Sequence, residues 1–250
     1  PSKSDSTPVK ELSLIPFPTQ ELFAADISKF SLIIFDQYGL QGALPQKYLN
    51  NISNFVLNGG ALLDISGPEY AKQGSIINSP LKTILPTKPL DAYETIKFKP
   101  KLTTIGERHP ITNNLNYDFP NNSWGNWFRF VKTQKLSGKV LLEHKSYPIL
   151  VAAKAGDGRV VQLLSDQSWI WKKSIEERGP ITTLLRNTIH WLLKTPELEE
   201  NFLEIQQKED LIKVSINTLE PGNSQALVVS PTNKEISFFM KDEQNGTLRG

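Results

Sequence analysis

The chain has 250 residues, of which 38% are hydrophobic and 9% aromatic, and 28 Lys and Arg against 26 Asp and Glu give a formal net charge of +2. This length and composition can bury a sizeable core and exclude a disordered chain. The absence of cysteine excludes disulfides, thiolate metal sites and a cysteine nucleophile. No basic block predicts a nucleic-acid partner, and no apolar run reaches the ~18 residues of a membrane span.

The first predicted elements form a strand–helix–strand unit. Residues 30–36, FSLIIFD, are an apolar run that ends in an acid, which is typical of a central parallel strand. A helix is predicted from Pro45 to the glycine pair at 59–60, because apolar residues recur at helical spacing between them. Residues 61–66, ALLDIS, are the next strand. This order predicts a parallel sheet with a right-handed crossover.

The remainder of the chain alternates loops, strands and one further helix. A Pro-, Thr- and Asn-rich stretch from 80 to 120 contains one predicted strand, Ala92–Lys99. Three consecutive strands follow, GKVLLEH, YPILVAAKA and GRVVQLLSD, with the hairpin turn GDG at 156–158. A helix is predicted from about Gly179 to Lys194.

Composition changes after Pro196, where an acidic stretch leads into short strands separated by turn residues. We therefore predict an α/β domain over residues 1–200 and the start of a small β module over residues 201–250. The chain begins without methionine and stops within that module, so we expect a part of a longer protein.

The order and spacing of several motifs resemble the glutamine amidotransferase-like domain of large bacterial membrane proteins, over roughly residues 28–205. The motifs are ALPQKYLNNISNFVLNGGALLDISGPEY, ERHPIT, WGNWFRF, PILVAAKAGDGRVVQLLSDQSWIWKK and GPITTLLRNTIHWLLKTPELEE. The resemblance implies a flavodoxin-like α/β sandwich with a mostly parallel sheet, followed by a short all-β segment. It also implies a periplasmic-side part of a bacterial envelope protein, held to the membrane by segments outside this sequence. A cytoplasmic location is the alternative.

Amidotransferase chemistry needs a cysteine in a sharp turn after a strand and a His/Glu pair further along. Here the turn reads Ser66-Gly67-Pro68-Glu69, and residues 165–171, SDQSWIW, lack a histidine. We therefore expect no glutaminase activity and no catalytic residues. The candidates for a hydrolase with another nucleophile are Ser66, Glu69 and His109. The alternative is a structural turn at Ser66 and a local hydrogen bond at His109.

The sequence predicts neither a metal site nor a cofactor. The three histidines are scattered and show no metal-ligand spacing. GLQG and GDG are too short for a phosphate loop and do not lead from a strand into a helix with the dinucleotide fingerprint.

Two acids mark a candidate ligand cleft. Asp36 and Asp166 each follow a predicted parallel strand, and ligands of open α/β sheets bind outside such strand ends. The turn with Ser66 and Glu69 is expected at the same edge, so all four residues are candidates to line one cleft. The alternative is that the acids cap helices or hold loops.

Tryptophan-rich loops are the second candidate for recognition. Trp124 and Trp127 lie shortly before Arg129, and Trp169 and Trp171 lie in the loop that follows the strand GRVVQLLSD. Tryptophans beside arginine favour a surface for a peptide, a glycan or a partner protein. The alternative is that the rings pack on one another and close the end of the sheet.

These observations predict a non-catalytic binding or scaffolding domain of a bacterial envelope protein, with other envelope proteins or a peptide or glycan as partners. The alternatives are a hydrolase that uses Ser66 and a carbohydrate- or peptide-binding module that uses the tryptophan loops.

Overall fold

A computed structural model describes residues 27–40, 44–117, 119, 123–208, 211–220, 222 and 224–250. The helices are α1 (Gln46–Leu57), α2 (Ile170–Lys173) and α3 (Ile181–Leu192), and several single 3₁₀ turns join other elements. The strands of the first part are β1 (Leu32–Asp36), β2 (Ala61–Ile65), β3 (Thr87–Glu94), β4 (Lys101–Leu102), β5 (Phe130–Lys135), β6 (Lys139–His144), β7 (Tyr147–Ala155) and β8 (Gly158–Leu163). Those of the second part are β9 (Leu203–Lys208), β10 (Leu211–Asn217), β11 (Ser224–Val229), β12 (Glu235–Asp242) and β13 (Thr247–Arg249).

The largest sheet has six strands in the order β1-β2-β8-β7-β6-β4. Only β1, β2 and β8 pair in parallel, and the other strands pair antiparallel. Strands hold 37% and helices 21% of the described residues, so this part of the chain is mainly β. The prediction of a flavodoxin-like sandwich with a mostly parallel sheet was therefore wrong.

Two tight turns explain the antiparallel half of the sheet. Between β6 and β7, Lys145 and Ser146 have φ angles of +48° and +68°, and between β7 and β8, Gly156 has a φ of +58°. Positive φ at the centre of a two-residue turn matches the twist of an antiparallel hairpin. A parallel neighbour would have needed a crossover of a dozen or more residues. The predicted GDG turn was therefore evidence against a mostly parallel sheet.

The strand predicted at Ala92–Lys99 lies earlier in the chain, as β3. It pairs antiparallel with β5 in a separate two-stranded sheet, with a register shift between Pro89 and Ala92. Proline lacks the N–H that a regular ladder needs, which explains why it lies beside an irregularity.

The core occupies both faces of the six-stranded sheet. Helix α1 buries Tyr48, Leu49, Ile52 and Val56 against one face. Helix α3 buries Ile181, Leu184, Trp191 and Leu192 against the other face, together with residues of β2 and β8. Strand residues alternate between these two clusters, as the pleat of a strand requires.

The third sheet has five antiparallel strands in the order β11-β12-β13-β10-β9. It begins at Leu203, near the boundary predicted from composition. Arg108 holds this sheet to the first part, because its Nη1 donates to both carboxylate oxygens of Asp242 at 3.1 and 3.0 Å. Among the described residues, no helix is long and apolar enough to cross a lipid bilayer.

Candidate functional site

The turn after β2 has an inward-facing serine. Ser66 is 3% exposed, and its backbone N–H donates to the Leu163 carbonyl at 2.8 Å. Its hydroxyl donates to Oδ2 of Asp64 at 2.5 Å. The Ser66 hydroxyl therefore serves a buried carboxylate and is not presented to solvent.

A buried polar network surrounds this hydroxyl. The Gln162 amide donates to Asp64 Oδ2 at 2.9 Å and to Ser66 Oγ at 3.2 Å. Thr87 Oγ1 donates to Gln162 Oε1 at 2.6 Å, and the Tyr70 hydroxyl donates to the Thr87 carbonyl at 2.6 Å. Burial raises the pKa of Asp64 to about 6, although hydrogen bonds from Ser66 and Gln162 oppose that rise. The network therefore ties the turn to the strands beneath it.

Sequence reasoning missed this network. Asp64 interrupts the apolar strand β2, and Gln162 lies between apolar residues in β8. The two are direct neighbours in the β2–β8 register. Polar residues inside two buried strands need partners, so these interruptions were the available signal.

His109 lies at the other end of the sheet. Its Nε2 is 3.4 Å from Glu200 Oε1 and its ring packs 5.5 Å from that of Trp191. The Trp191 carbonyl accepts from Arg159, at the start of β8, whereas Ser66 bonds to Leu163 at the end of that strand. Four strand residues span about 13 Å. Burial lowers the pKa of His109, despite the nearby Glu200. The structure does not bring His109 to Ser66.

A cleft of about 470 Å³ opens at the carboxyl ends of the parallel strands, between them and helices α2 and α3. We call it the carboxyl-edge cleft. The structure brings the predicted residues Asp36, Asp166 and Trp169 together in it, and Trp169 is 54% exposed. The other lining residues are Gln37, Ile65, Ser168, Lys172, Ile181, Thr182 and Leu185.

The other two residues predicted to line this cleft, Ser66 and Glu69, lie outside it. Ser66 is buried in the network described above. Glu69 forms a surface ion pair with Lys72, with 2.5 Å between Oε1 and Nζ. This local pair satisfies the carboxylate of Glu69 without a ligand.

Asp166 faces both the cleft and Arg129. Arg129 Nε donates to Asp166 Oδ1 at 3.1 Å, and its Nη2 donates to Oδ2. The side chain of Asp166 is 3% exposed and that of Arg129 is 34% exposed. Hydrogen bonding to Asp166 raises the pKa of Arg129. The pair therefore fixes the wall of the cleft and leaves Asp36 as its exposed acid.

We expect Asp166→Asn to lower the free energy of unfolding by about 1–2 kcal/mol, because it breaks a two-point ion pair with one buried partner. Urea unfolding followed by circular dichroism measures the change. The matched control is Glu69→Gln, which breaks an exposed pair and is expected to leave the midpoint unchanged. Equal losses in both variants would contradict this assignment.

Three of the four predicted recognition tryptophans are core residues. Trp124, Trp127 and Trp171 are 1%, 0% and 2% exposed. The Trp171 ring packs 5.4 Å from that of Trp124 and 4.6 Å from that of Trp127. Rings without exposed area present no face to a ligand in solution, so these three residues close the end of the sheet instead.

Gln37 is a cleft residue that sequence reasoning missed. Its φ is +52°, and its N–H donates to the Ile65 carbonyl at 2.8 Å. Left-handed backbone at a non-glycine residue costs on the order of 1 kcal/mol and clusters at functional sites. A Cβ placed on Gly67 would lie 3.2 Å from Gln37 Cγ, so this glycine leaves room for the Gln37 side chain. No sequence signal singled out Ser168, Lys172 or Thr182.

Across the residues that the structure describes, no group of three or more His, Asp and Glu side chains is placed to hold a metal ion.

No protein-family model matches the chain, and no curated protein matches it. Its fold is that of a mixed six-stranded sheet with a helix on each face and an added antiparallel sheet.

Two solved structures share this fold. A cytoplasmic protein from Salmonella typhimurium LT2 is 23% identical with a TM-score of 0.56, over 70% of this chain and 76% of its own. Another cytoplasmic protein from Salmonella typhimurium is 20% identical with a TM-score of 0.57, over 71% of this chain and 76% of its own. A ThuA-like protein from Bacteroides uniformis ATCC 8492 is 16% identical with a TM-score of 0.44, over 68% and 76% of the two chains. At 23% and 20% identity, the likeness to the two Salmonella proteins concerns the fold alone. The envelope location and the envelope partners stay predictions of the family resemblance.

Proposed function

We propose that this chain is a non-catalytic binding domain whose ligand is a hydroxyl-rich carbohydrate in the carboxyl-edge cleft. The observation that supports it best is the position of an exposed indole, Trp169, beside the exposed carboxylate of Asp36 in one cleft. The cleft volume of about 470 Å³ lies within the range of small-molecule sites.

The composition of the cleft matches the two sides of a sugar ring. The flat indole of Trp169 can cover the apolar C–H face of the ring. Asp36 and Gln37 supply acceptors for hydroxyl groups at one wall, and Thr182 and Ser168 supply hydroxyls. A neutral ligand also suits a site where Asp166 is already paired with Arg129.

The geometry of the turn favours binding over hydrolysis. A serine nucleophile needs a base within hydrogen-bond reach and free N–H donors for the oxyanion. Ser66 instead donates to Asp64, and its own N–H is bonded to Leu163. His109 lies at the opposite end of β8.

The test is a titration of the protein with neutral mono- and disaccharides, followed by backbone amide NMR and calorimetry. We expect shifts at Asp36, Gln37 and Trp169, and a loss of affinity of up to about tenfold in Trp169→Ala, since contact with one aromatic ring contributes about 0.5–1.5 kcal/mol. Tyr117→Ala, which removes another exposed aromatic outside the cleft, is the control and should bind normally.

Two results would contradict the proposal. One is that no sugar of the panel shifts the cleft residues at millimolar concentration. The other is that a bound sugar is cleaved, which would make the protein an enzyme.

A further inference from the structure

A second cavity adjoins the carboxyl-edge cleft at the start of α3. It has a volume of about 420 Å³, and the two cavities share Lys172, Ile181 and Thr182 in their walls. We call this second cavity the adjoining pocket. Because the cavities meet at these three residues, a ligand longer than one sugar ring has room to extend from the carboxyl-edge cleft into the adjoining pocket.

The described residues that line the adjoining pocket include two cations and no acid. These cations are Lys172 and Arg178, and both side chains are exposed. Neither forms an ion pair with any residue that the structure describes. The carboxyl-edge cleft differs, because Asp36 and Asp166 line it. Two basic side chains without a counter-charge favour an anionic group in the adjoining pocket.

The beginning of α3 adds to this positive potential. The helix has 12 residues and follows Pro180, and within the described chain no side chain caps its start and no acid lies in its first turn. The N–H groups at the start of a helix carry partial positive charge and stabilise a nearby anion. The helix end and the two cations therefore favour the same kind of group.

A buried hydroxyl is an independent sign of a ligand. Ser168 lines the carboxyl-edge cleft and is 8% exposed, and its hydroxyl has no hydrogen-bond partner among the described residues. Burying a hydroxyl without a partner is unfavourable, so buried polar groups normally have one. A ligand in the cleft can supply the partner that the hydroxyl of Ser168 lacks, for example an anionic oxygen.

We propose that the adjoining pocket binds the carboxylate of a uronic acid unit, next to a neutral sugar ring that lies beside Trp169 in the carboxyl-edge cleft. This inference rests on the proposed function and names the class of carbohydrate. The planar guanidinium of Arg178 can donate two parallel hydrogen bonds to a carboxylate, and Lys172 adds a second positive charge. The carboxylate of Asp36 disfavours the acidic unit in the carboxyl-edge cleft itself, so the two cavities select the order of the units.

Calorimetric titration with a matched pair of disaccharides tests the proposal. One disaccharide is neutral, and the other is the same molecule with one terminal CH₂OH group replaced by a carboxylate. We expect the acidic disaccharide to bind about tenfold more tightly, because it gains two exposed charge pairs. This advantage should shrink at about 1 M salt, where the Debye length is about 3 Å.

Arg178→Gln is the sharpest variant, because Arg178 lines the adjoining pocket and not the carboxyl-edge cleft. We expect it to lose most of the advantage of the acidic disaccharide and to bind the neutral one as the wild type does. The matched control is Lys173→Gln, which removes one exposed positive charge from α2 at a residue that lines neither cavity. The control is expected to keep the advantage.

Backbone amide NMR provides a second measurement that requires no variant. Both disaccharides are expected to shift the signals of Asp36 and Trp169 in the carboxyl-edge cleft. Only the acidic disaccharide is expected to shift those of Arg178 and Gly179, which line the adjoining pocket alone.

Two results would overturn this inference and leave the proposed function intact. The two disaccharides could bind with equal affinity and shift the same signals. Lys173→Gln could reduce the advantage as strongly as Arg178→Gln, which would assign it to the net charge of the protein. A third result, in which neither disaccharide shifts Asp36 or Trp169, would contradict the proposed function and this inference with it.

Discussion

Trp171→Ala is expected to lower the free energy of unfolding by about 3–5 kcal/mol, the range for truncating a buried large aromatic. The Trp171 ring is 2% exposed and packs against Trp124 and Trp127. Its Nε1 also donates to the Gly125 carbonyl at 2.9 Å, and that acceptor would lose its partner. A Cβ on Gly179 would lie 2.3 Å from the ring, so the backbone is built closely around this indole.

Trp169→Ala is the matched control for this experiment, because it removes the same side chain two residues earlier. Trp169 is 54% exposed in the carboxyl-edge cleft, so we expect its loss to change stability by less than about 1 kcal/mol. Urea unfolding followed by far-UV circular dichroism compares the two variants without depending on tryptophan fluorescence. Equal destabilisation by both substitutions would contradict the division between a core ring and a ring that faces the cleft.

Asp64→Asn is expected to stabilise the protein above about pH 6, by up to about 2 kcal/mol. Burial raises the pKa of Asp64 from 3.8 to about 6, so the folded chain binds this proton more tightly than the unfolded chain. The contribution of Asp64 to stability is therefore fully present below about pH 4 and is lost as the pH rises to about 6. That rise corresponds to about 3 kcal/mol. Asn recovers only part of it, because its oxygen can accept the two hydrogen bonds that reach Asp64 Oδ2 but its amide N–H donors need new partners in the buried network.

The measurement is the difference in unfolding free energy between Asp64→Asn and the wild type across the range from about pH 4 to about pH 8. Taking the difference removes the titration of other groups, such as the buried His109. The difference should grow with pH and level off above the pKa of Asp64. Glu235→Gln is the control, since Glu235 is exposed and lies in the five-stranded sheet, away from Asp64, and its difference from the wild type is expected to show no such rise. A difference that is constant with pH would show that Asp64 is not the titrating group.

Local patterns predicted many elements of the fold but not its class. The apolar run before Asp36 and the helical spacing after Pro45 correspond to β1 and α1. The fold class depended on whether neighbouring strands pair parallel or antiparallel, and the two short turns on either side of β7 made the pairing antiparallel. The turn at Lys145 and Ser146 has no glycine or asparagine, so its hairpin geometry was hidden.

The sequence predicted only part of the candidate site. Asp36 and Asp166 were found because the ends of parallel strands meet at one edge of a sheet, and the structure places both in the carboxyl-edge cleft. No such rule distinguishes the buried tryptophans from the exposed one. Trp169 and Trp171 share composition and loop, and only packing determines which ring faces the core.

The amino-acid sequence by itself determined the absence of cysteine chemistry, the positions of several strands and helices, and two acids at strand ends. These properties depend on residue identity and on short-range periodicity. The tertiary structure alone decided the mixed sheet, the inward turn of Ser66 towards Asp64, the separation of His109 from Ser66, and the exposure of Trp169. Each of these features depends on contacts between residues that are far apart in the sequence. Local sequence patterns do not specify which distant residues meet.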